Sequence, residues 1–390
     1  MDSRRRFVQS TTAAGLLGAW WPARTAVAQP CARTLRVGRS PGAIPTIADA
    51  ARLARDGDTV EIEAGLYRGD VAIWPQRRLT IRARGGPVRL VADEQAADGK
   101  AIWVLSNGEF DVEGIEFTGC RVPHRNGAGI RFERGHLRLK WCRFFGNQMG
   151  LLTSNDPAAV LEAVSCEFSD NSANDGFSHN LYVGSIARAE ISGCYFARAH
   201  VGHLLKSRAR ENRILYNRLT DETGTASYEI DLPNGGRALV LGNLIVQEAS
   251  TQNWSIVSFG AEGYKGAQHE LAVVHNTLVN RRPGDAMFVR VLPGQATVRV
   301  VNNLLVGAGR LDGVLESSPS DNLRVPESVF RAPRQYDFAL PEGSNLRERA
   351  VMPESSPQWP MRPTAQYEHP MRLRPLTGRS RPSHGAIQEG

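Results

Sequence analysis

From residue 115 to residue 305 the chain repeats one short phrase: a residue that is usually small or polar, any residue, then a large apolar one. The pairs are Ile115/Phe117, Cys142/Phe144, Cys166/Phe168, Cys194/Phe196, Asn217/Leu219, Asn243/Ile245, Asn276/Leu278 and Asn303/Leu305, spaced 23 to 33 residues apart. Between them lie short alternating or β-branched runs, such as Leu137 to Trp141 and Ala189 to Ser192, separated by Gly, Asn and Asp turn signals. Helical periodicity is absent from this stretch. A coil of this length built from short strands cannot bury its own apolar face and has to stack on its neighbours. A leucine-rich repeat would show a regular Leu lattice, which is missing. The pattern therefore predicts an all-β chain, a right-handed parallel β-helix whose coils lie about 4.8 Å apart.

Stacking turns equivalent positions into columns. Cys142, Cys166 and Cys194 form one, continued by Asn217, Asn243, Asn276 and Asn303, whose amides can bond side chain to side chain and so satisfy groups that are costly to bury. In-register coils hold Cβ atoms about 4.8 Å apart, farther than the roughly 3.8 Å a disulfide favours. The column cysteines thus read as small buried hydrophobes. Cys31 and Cys120 lie off the column, and nothing in the sequence shows that they meet.

Upstream, Ile44-Pro-Thr-Ile-Ala-Asp-Ala-Ala-Arg-Leu-Ala-Arg-Asp-Gly-Asp-Thr-Val-Glu-Ile-Glu-Ala-Gly-Leu-Tyr67 resembles the entry to the pectate-lyase-like β-helix superfamily. In that superfamily an amphipathic helix caps the first coil and a Gly-Asp-Thr-Val turn feeds the first strand. The local chemistry agrees: Thr46 can cap a helix, Ile47, Ala50, Leu53 and Ala54 share a face, and Gly57 ends it. An open solenoid end exposes strand edges and core, so a lid is expected. The resemblance covers about residues 36 to 310 and is specific for fold rather than activity. The expected organisation is a signal peptide over 1–28, a cap with its helix over 29–62, the β-helix over 63–310 and a tail over 311–390. Eleven of the 22 prolines fall in that tail, which predicts irregular chain packed on the solenoid.

The N-terminus reads as an export signal: Ser3-Arg-Arg-Arg-Phe7, a nine-residue apolar run from Ala13 to Trp21, and a small-x-small site at Ala26-Val-Ala28. The paired arginines resemble a twin-arginine signal, which implies the twin-arginine export machinery as a partner and a periplasmic or secreted location. No apolar run reaches the roughly 20 residues of a membrane span. The formal charge of +7 includes four arginines and one aspartate in the signal, so cleavage leaves +4. With no Lys/Arg block, nucleic acid is not expected as a partner. A mildly cationic exported protein fits an acidic polysaccharide or oligosaccharide instead.

Candidate chemistry follows from aligning His179-Asn-Leu-Tyr-Val183, His203-Leu-Leu-Lys-Ser207, Tyr228-Glu-Ile-Asp-Leu232 and Trp254-Ser-Ile-Val-Ser258. Leu181, Leu205, Ile230 and Ile256 then define the inward side. Tyr182, Lys206 and Asp231 form one outward column, with Asn180 and Glu229 in the outward column beside it and His179 and His203 inward. Superfamily members that cleave acidic polysaccharides use a similar set: a base removes the proton beside a uronate carboxylate while cations stabilise the developing charge. Lys206 would be the base, Tyr182 the acid toward the leaving oxygen, and Arg208 or Arg210 the grip on the carboxylate. Asn180, His203 and Asn234, from the Pro233-Asn-Gly-Gly236 turn, complete the expected substrate-binding set. Glu229 and Asp231, two apart on one strand, could instead hydrolyse a glycoside. Asn180, Glu229 and Asp231 could hold calcium; no other cofactor is indicated. The same column could also serve a glycan-binding or envelope-structural protein without catalysis, because fold does not fix function.

Overall fold

The computed structural model describes residues 32–315, 321–351, 359–378 and 381–389. Residues 1–28, expected to be a signal peptide, and Cys31 lie outside the described residues. Two parallel sheets carry the fold. One has ten strands, from Ala72–Trp74 through Leu181–Val183, Leu205–Ser207 and Ile230–Leu232 to Gly309–Asp312. The other has twenty, arranged as two ladders that the long strands Thr59–Arg68 and Arg78–Val91 join. Each coil gives one strand to the ten-stranded sheet and one to each ladder, so the chain is a parallel β-solenoid of about ten turns. Among the described residues no helix is long and apolar enough to cross a membrane.

The recurring phrase marks a corner. The residue just before each of its positions has positive φ, from Gly114 (76°) through Trp141, Ser165, Gly193, Tyr216, Gly242 and His275 to Asn302 (63°). Glycine adopts this conformation freely at 114, 193 and 242; at the other positions it costs roughly 1–2 kcal/mol. The side chain that follows bonds the corner into a rod. Cys194 Sγ accepts from the Cys166 N–H at 3.4 Å, Asn217 Oδ1 from the Cys194 N–H at 2.8 Å, and the series runs through Asn243, Asn276 and Asn303 to Asn322. Asn322 and the strand Leu323–Val325 carry the stacking past residue 310. Cys120, Cys142, Cys166 and Cys194 are buried free thiols.

Inside, the apolar member of each phrase builds the core. Phe117, Phe144, Phe168 and Phe196 stack nearly parallel with centroids 4.9 to 5.0 Å apart. Trp103 meets Phe117 edge-on at 5.0 Å, and Leu219, Ile245, Leu278 and Leu305 continue the column, all buried. The helix Ile47–Leu53 starts at Thr46, whose hydroxyl accepts from the Asp49 N–H. It buries Ile47, Ala50 and Ala51 against the first coil, with Ala54 just beyond its end. Leu53, expected on that face, points to solvent, and Ala51 takes its place; the helix is too short for the wider stripe.

Residues after 321 cover two outer faces. Trp359, Met361 and Ala365 pack on Tyr216, Leu239, Leu241, Ala272 and Val274. Phe330, Phe338 and Leu340 pack on Leu244, Val246 and Val279. This explains why strands such as Arg237–Leu241 and Glu270–Val274 are apolar on both sides.

Candidate active site

The outer face of the ten-stranded sheet is the one these segments leave open. Leu181↔Leu205↔Ile230 pair in register, and so Tyr182, Lys206 and Asp231 stand side by side on three successive strands. The next partner differs from the aligned one: Ile230 pairs with Val257, which puts Ser258 rather than Val257 beside Asp231. On the other side the row continues through Leu152, next to an apolar patch of Ala97, Ala101, Val104, Ala128 and Met149.

The charged part of the row is closely wired. Lys206 Nζ lies 3.2 Å from Asp231 Oδ2 and 3.0 Å from Glu262 Oε1. Arg208 Nε donates to Tyr182 Oη at 3.0 Å and its Nη1 to Asn234 Oδ1 at 2.9 Å. The same guanidinium grips Glu262 with both terminal nitrogens, at 2.5 and 2.9 Å. Glu262 reaches the row from the loop after Ser255–Phe259, 56 residues beyond Lys206, and no sequence signal links the two. The bonds from Arg208, reinforced by Lys206, hold its carboxyl down to about 2. Burial pushes Asp231 up, with Lys206 opposing.

The strands begin only at Leu181, Leu205 and Ile230. The residues before them belong to a corner where strict alternation fails, and this corrects several expectations. His179 and His203, expected inward, lie on the outer side with the row: their rings stack 4.4 Å apart, His179 meets Tyr182 edge-on, and His203 Nε2 is 3.5 Å from Asp231 Oδ2. Burial drives the His179 imidazole down to about 3 and that of His203 well below its usual value, so both are neutral near pH 7.

Asn180 and Glu229, expected outward, are fully buried. Asn180 ends a second polar column that sequence reasoning missed. There Asn147 Oδ1 accepts from the Cys120 N–H, Asn147 Nδ2 donates to Asn171 Oδ1, and Asn171 Nδ2 donates to Asn180 Oδ1. The 24-residue step from Asn147 to Asn171 was its one available signal. Glu229 accepts from Gln247 Nε2 at 3.2 Å in the interior, and burial together with the Asp221 charge pushes its carboxyl well above the usual range. Glu229 and Asp231 therefore form no carboxylate pair for hydrolysis. Asn180, Glu229 and Asp231 form no shared oxygen set for calcium, since two of the three point into the core. Among the described residues no three His, Cys, Asp or Glu side chains converge as a metal site.

Arg210 also leaves the row, donating to the Pro157 carbonyl at 2.8 Å. A cavity of about 380 Å³ lies elsewhere, lined by Arg218, Tyr336, Tyr367, His369 and neighbours. Several of its polar groups bond one another, as His369 does with Arg218 and Tyr367. Three unpartnered buried atoms belong to residues of the open face instead: Asp231 Oδ1, His203 Nδ1 and Ser258 Oγ.

The architecture and this face together define a right-handed parallel β-helix with the fold of the pectate lyases. Among solved structures it is similar to the crystal structure of pectate lyase Pel9A, with a TM-score of 0.60 and 12% identity over 92% of this chain and 96% of the other. At that identity the likeness concerns the fold alone. No family model matches the sequence, and no curated protein does.

Proposed function

We propose that the chain is an exported protein that acts on an acidic, uronate-containing polysaccharide by β-elimination. The observation that carries this reading is the row Tyr182–Lys206–Asp231 beside Arg208, cations and a phenol held together on the open face of a β-helix. In such a reaction a base takes the proton next to the uronate carboxylate, the adjacent C–O bond breaks, a C=C bond forms, and the departing oxygen gains a proton. Lys206, as the neutral amine, is the base and becomes the ammonium that Asp231 faces, Tyr182 donates to the leaving oxygen, and Arg208 pairs with the uronate carboxylate by its planar fork. Asp231 orients Lys206, and His203 orients Asp231 from the turn side. Asn234 holds Arg208 in place.

Residues 1–28 act as a twin-arginine signal that delivers the protein to the periplasm or beyond, and the helix Ile47–Leu53 closes the N-terminal end. Folded protein incubated with a panel of uronate polymers, with and without calcium, is expected to generate the ultraviolet absorbance of unsaturated ends. Lys206→Ala lowers that rate by about 10²–10⁴, the usual worth of a general acid or base. Silence across the panel counts against elimination. A second reading, glycan binding without turnover, is favoured by one feature: Lys206 and Arg208 already have carboxylate partners in the free protein. Binding that survives in a wild type with no activity would select it.

A further inference from the structure

Glu262 differs from the rest of the row in how it arrives. Lys206 and Arg208 are mostly buried side chains of the solenoid wall, 12% and 18% exposed, whereas Glu262 is 46% exposed and reaches in from a loop. Its carboxylate takes three charge-assisted bonds, one from Lys206 Nζ and two from the Arg208 fork. That is the arrangement with which a planar carboxylate of any ligand would be held. We propose that the Arg208 fork is a carboxylate subsite, that Glu262 fills it and bonds Lys206 in the free protein, and that a ligand carboxylate takes its place on Arg208 and leaves Lys206 free of Glu262. This rests on the reading above and names the group the site recognises.

The geometry supports exchange without rebuilding the site. Arg208 keeps Tyr182 and Asn234 as partners when Glu262 leaves, and Lys206 keeps Asp231, so both cations stay where they are. The loop itself is pinned: the Glu262 N–H donates to the Pro233 carbonyl, the Lys265 N–H to that of Asn234, and Tyr264 Oη to that of Leu292. Exchange therefore needs only rotation of the Glu262 side chain into solvent. Charge at Arg208 is conserved, since one carboxylate replaces another opposite the same guanidinium. A group that leaves the subsite open about a tenth of the time weakens a ligand tenfold, by the population it withholds.

The test uses sodium acetate as the probe, so that it depends neither on the right sugar nor on turnover. The Arg208 Nε–H resonance of the full-length protein is followed by NMR during acetate titration in wild type, Glu262→Ala and Glu262→Gln. Both variants are expected to show saturable shifts at acetate concentrations at least about tenfold below the wild type's, and sodium chloride at equal ionic strength should not reproduce them. Glu262→Gln keeps the side chain's size should the alanine variant misfold. Folded variants with no saturable shift, or with the wild-type midpoint, overturn the proposal and leave Glu262 as a structural ion-pair partner only. If uronate polymers are cleaved yet acetate does not discriminate, the subsite falls and the elimination stands. If nothing is cleaved but acetate discriminates, the reverse holds.

Discussion

Replacing Asn243 with alanine tests the polar rod on which the stacking depends. Asn243 is fully buried. Its Oδ1 accepts from the Asn217 N–H at 2.9 Å and from Asn217 Nδ2 at 3.0 Å, while its Nδ2 donates to the Ile214 carbonyl at 2.8 Å and to Asn276 Oδ1 at 2.9 Å. Alanine removes all four. Two of the groups keep another partner: Asn217 Nδ2 still reaches the Ile191 carbonyl, and Asn276 Oδ1 still accepts from the backbone N–H of residue 243. The Asn217 N–H does not, and a buried donor left unpaired costs about 1–3 kcal/mol, to which the other lost bonds add about 1 kcal/mol each. The expected loss is thus about 4–6 kcal/mol. Asn243→Cys should cost about half as much, because a thiol at the equivalent Cys194 position already accepts a neighbour's N–H. Urea unfolding of the three proteins, compared at constant slope, reads the difference. Equal midpoints for the alanine and cysteine variants, or a loss below about 1 kcal/mol for alanine, would refute the accounting.

Two further outcomes are expected. Burial pushes the Asp221 carboxyl from 3.8 up to about 7; the folded state therefore holds its proton more tightly than the unfolded chain. The stability this contributes is complete below pH 4 and is lost as the pH rises to about 7, a fall of up to about 4 kcal/mol at 1.36 kcal/mol per pH unit. Asp221→Asn should flatten the profile of urea midpoint against pH over that range, and a wild type that gains stability there contradicts the assignment. Burial also holds the Cys142 and Cys166 thiols well above their usual range and raises Cys120 to about 12. A thiol reagent should leave Cys120, Cys142, Cys166 and Cys194 unmodified in native protein and label them after unfolding, with no reductant needed. Labelling without unfolding would mean that the coils open.

The repeat was legible because each coil needs three things at its corner: a residue that tolerates positive φ, a short side chain able to bond backbone, and a large apolar side chain two positions on. Cys166/Phe168 and Asn243/Ile245 report these in sequence. Register across the open face was legible where strands are flat, which is why Tyr182, Lys206 and Asp231 could be aligned. It was lost at the strand starts, where Asn180 and Leu181 both turn inward and period-two alternation assigns His179, Asn180, His203 and Glu229 to the wrong sides. The partner of Lys206 and Arg208 was invisible for another reason: Glu262 sits in an irregular loop whose path depends on contacts such as Tyr264 with Phe259. Apolar outward residues such as Leu239 and Val274 were a readable sign of the covering tail that pattern counting alone passes over.

The phenylalanine pile stops at Phe196, and the sulfur column stops at Cys194, in the same coil. From Asn217 and Leu219 onward that same column is aliphatic and the rod is amide. Because every coil touches only those above and below, strength along the axis is a sum of local joints. The joint between these two blocks is one where neither flat rings nor amides face their own kind. Tyr182 stands on one side of it, Asp231 on the other, and Lys206 at the boundary. Any bending or slippage of the prism at that joint would be felt first as a change in the spacing of those three side chains, so the stiffness of the interior sets how exactly the surface row is held.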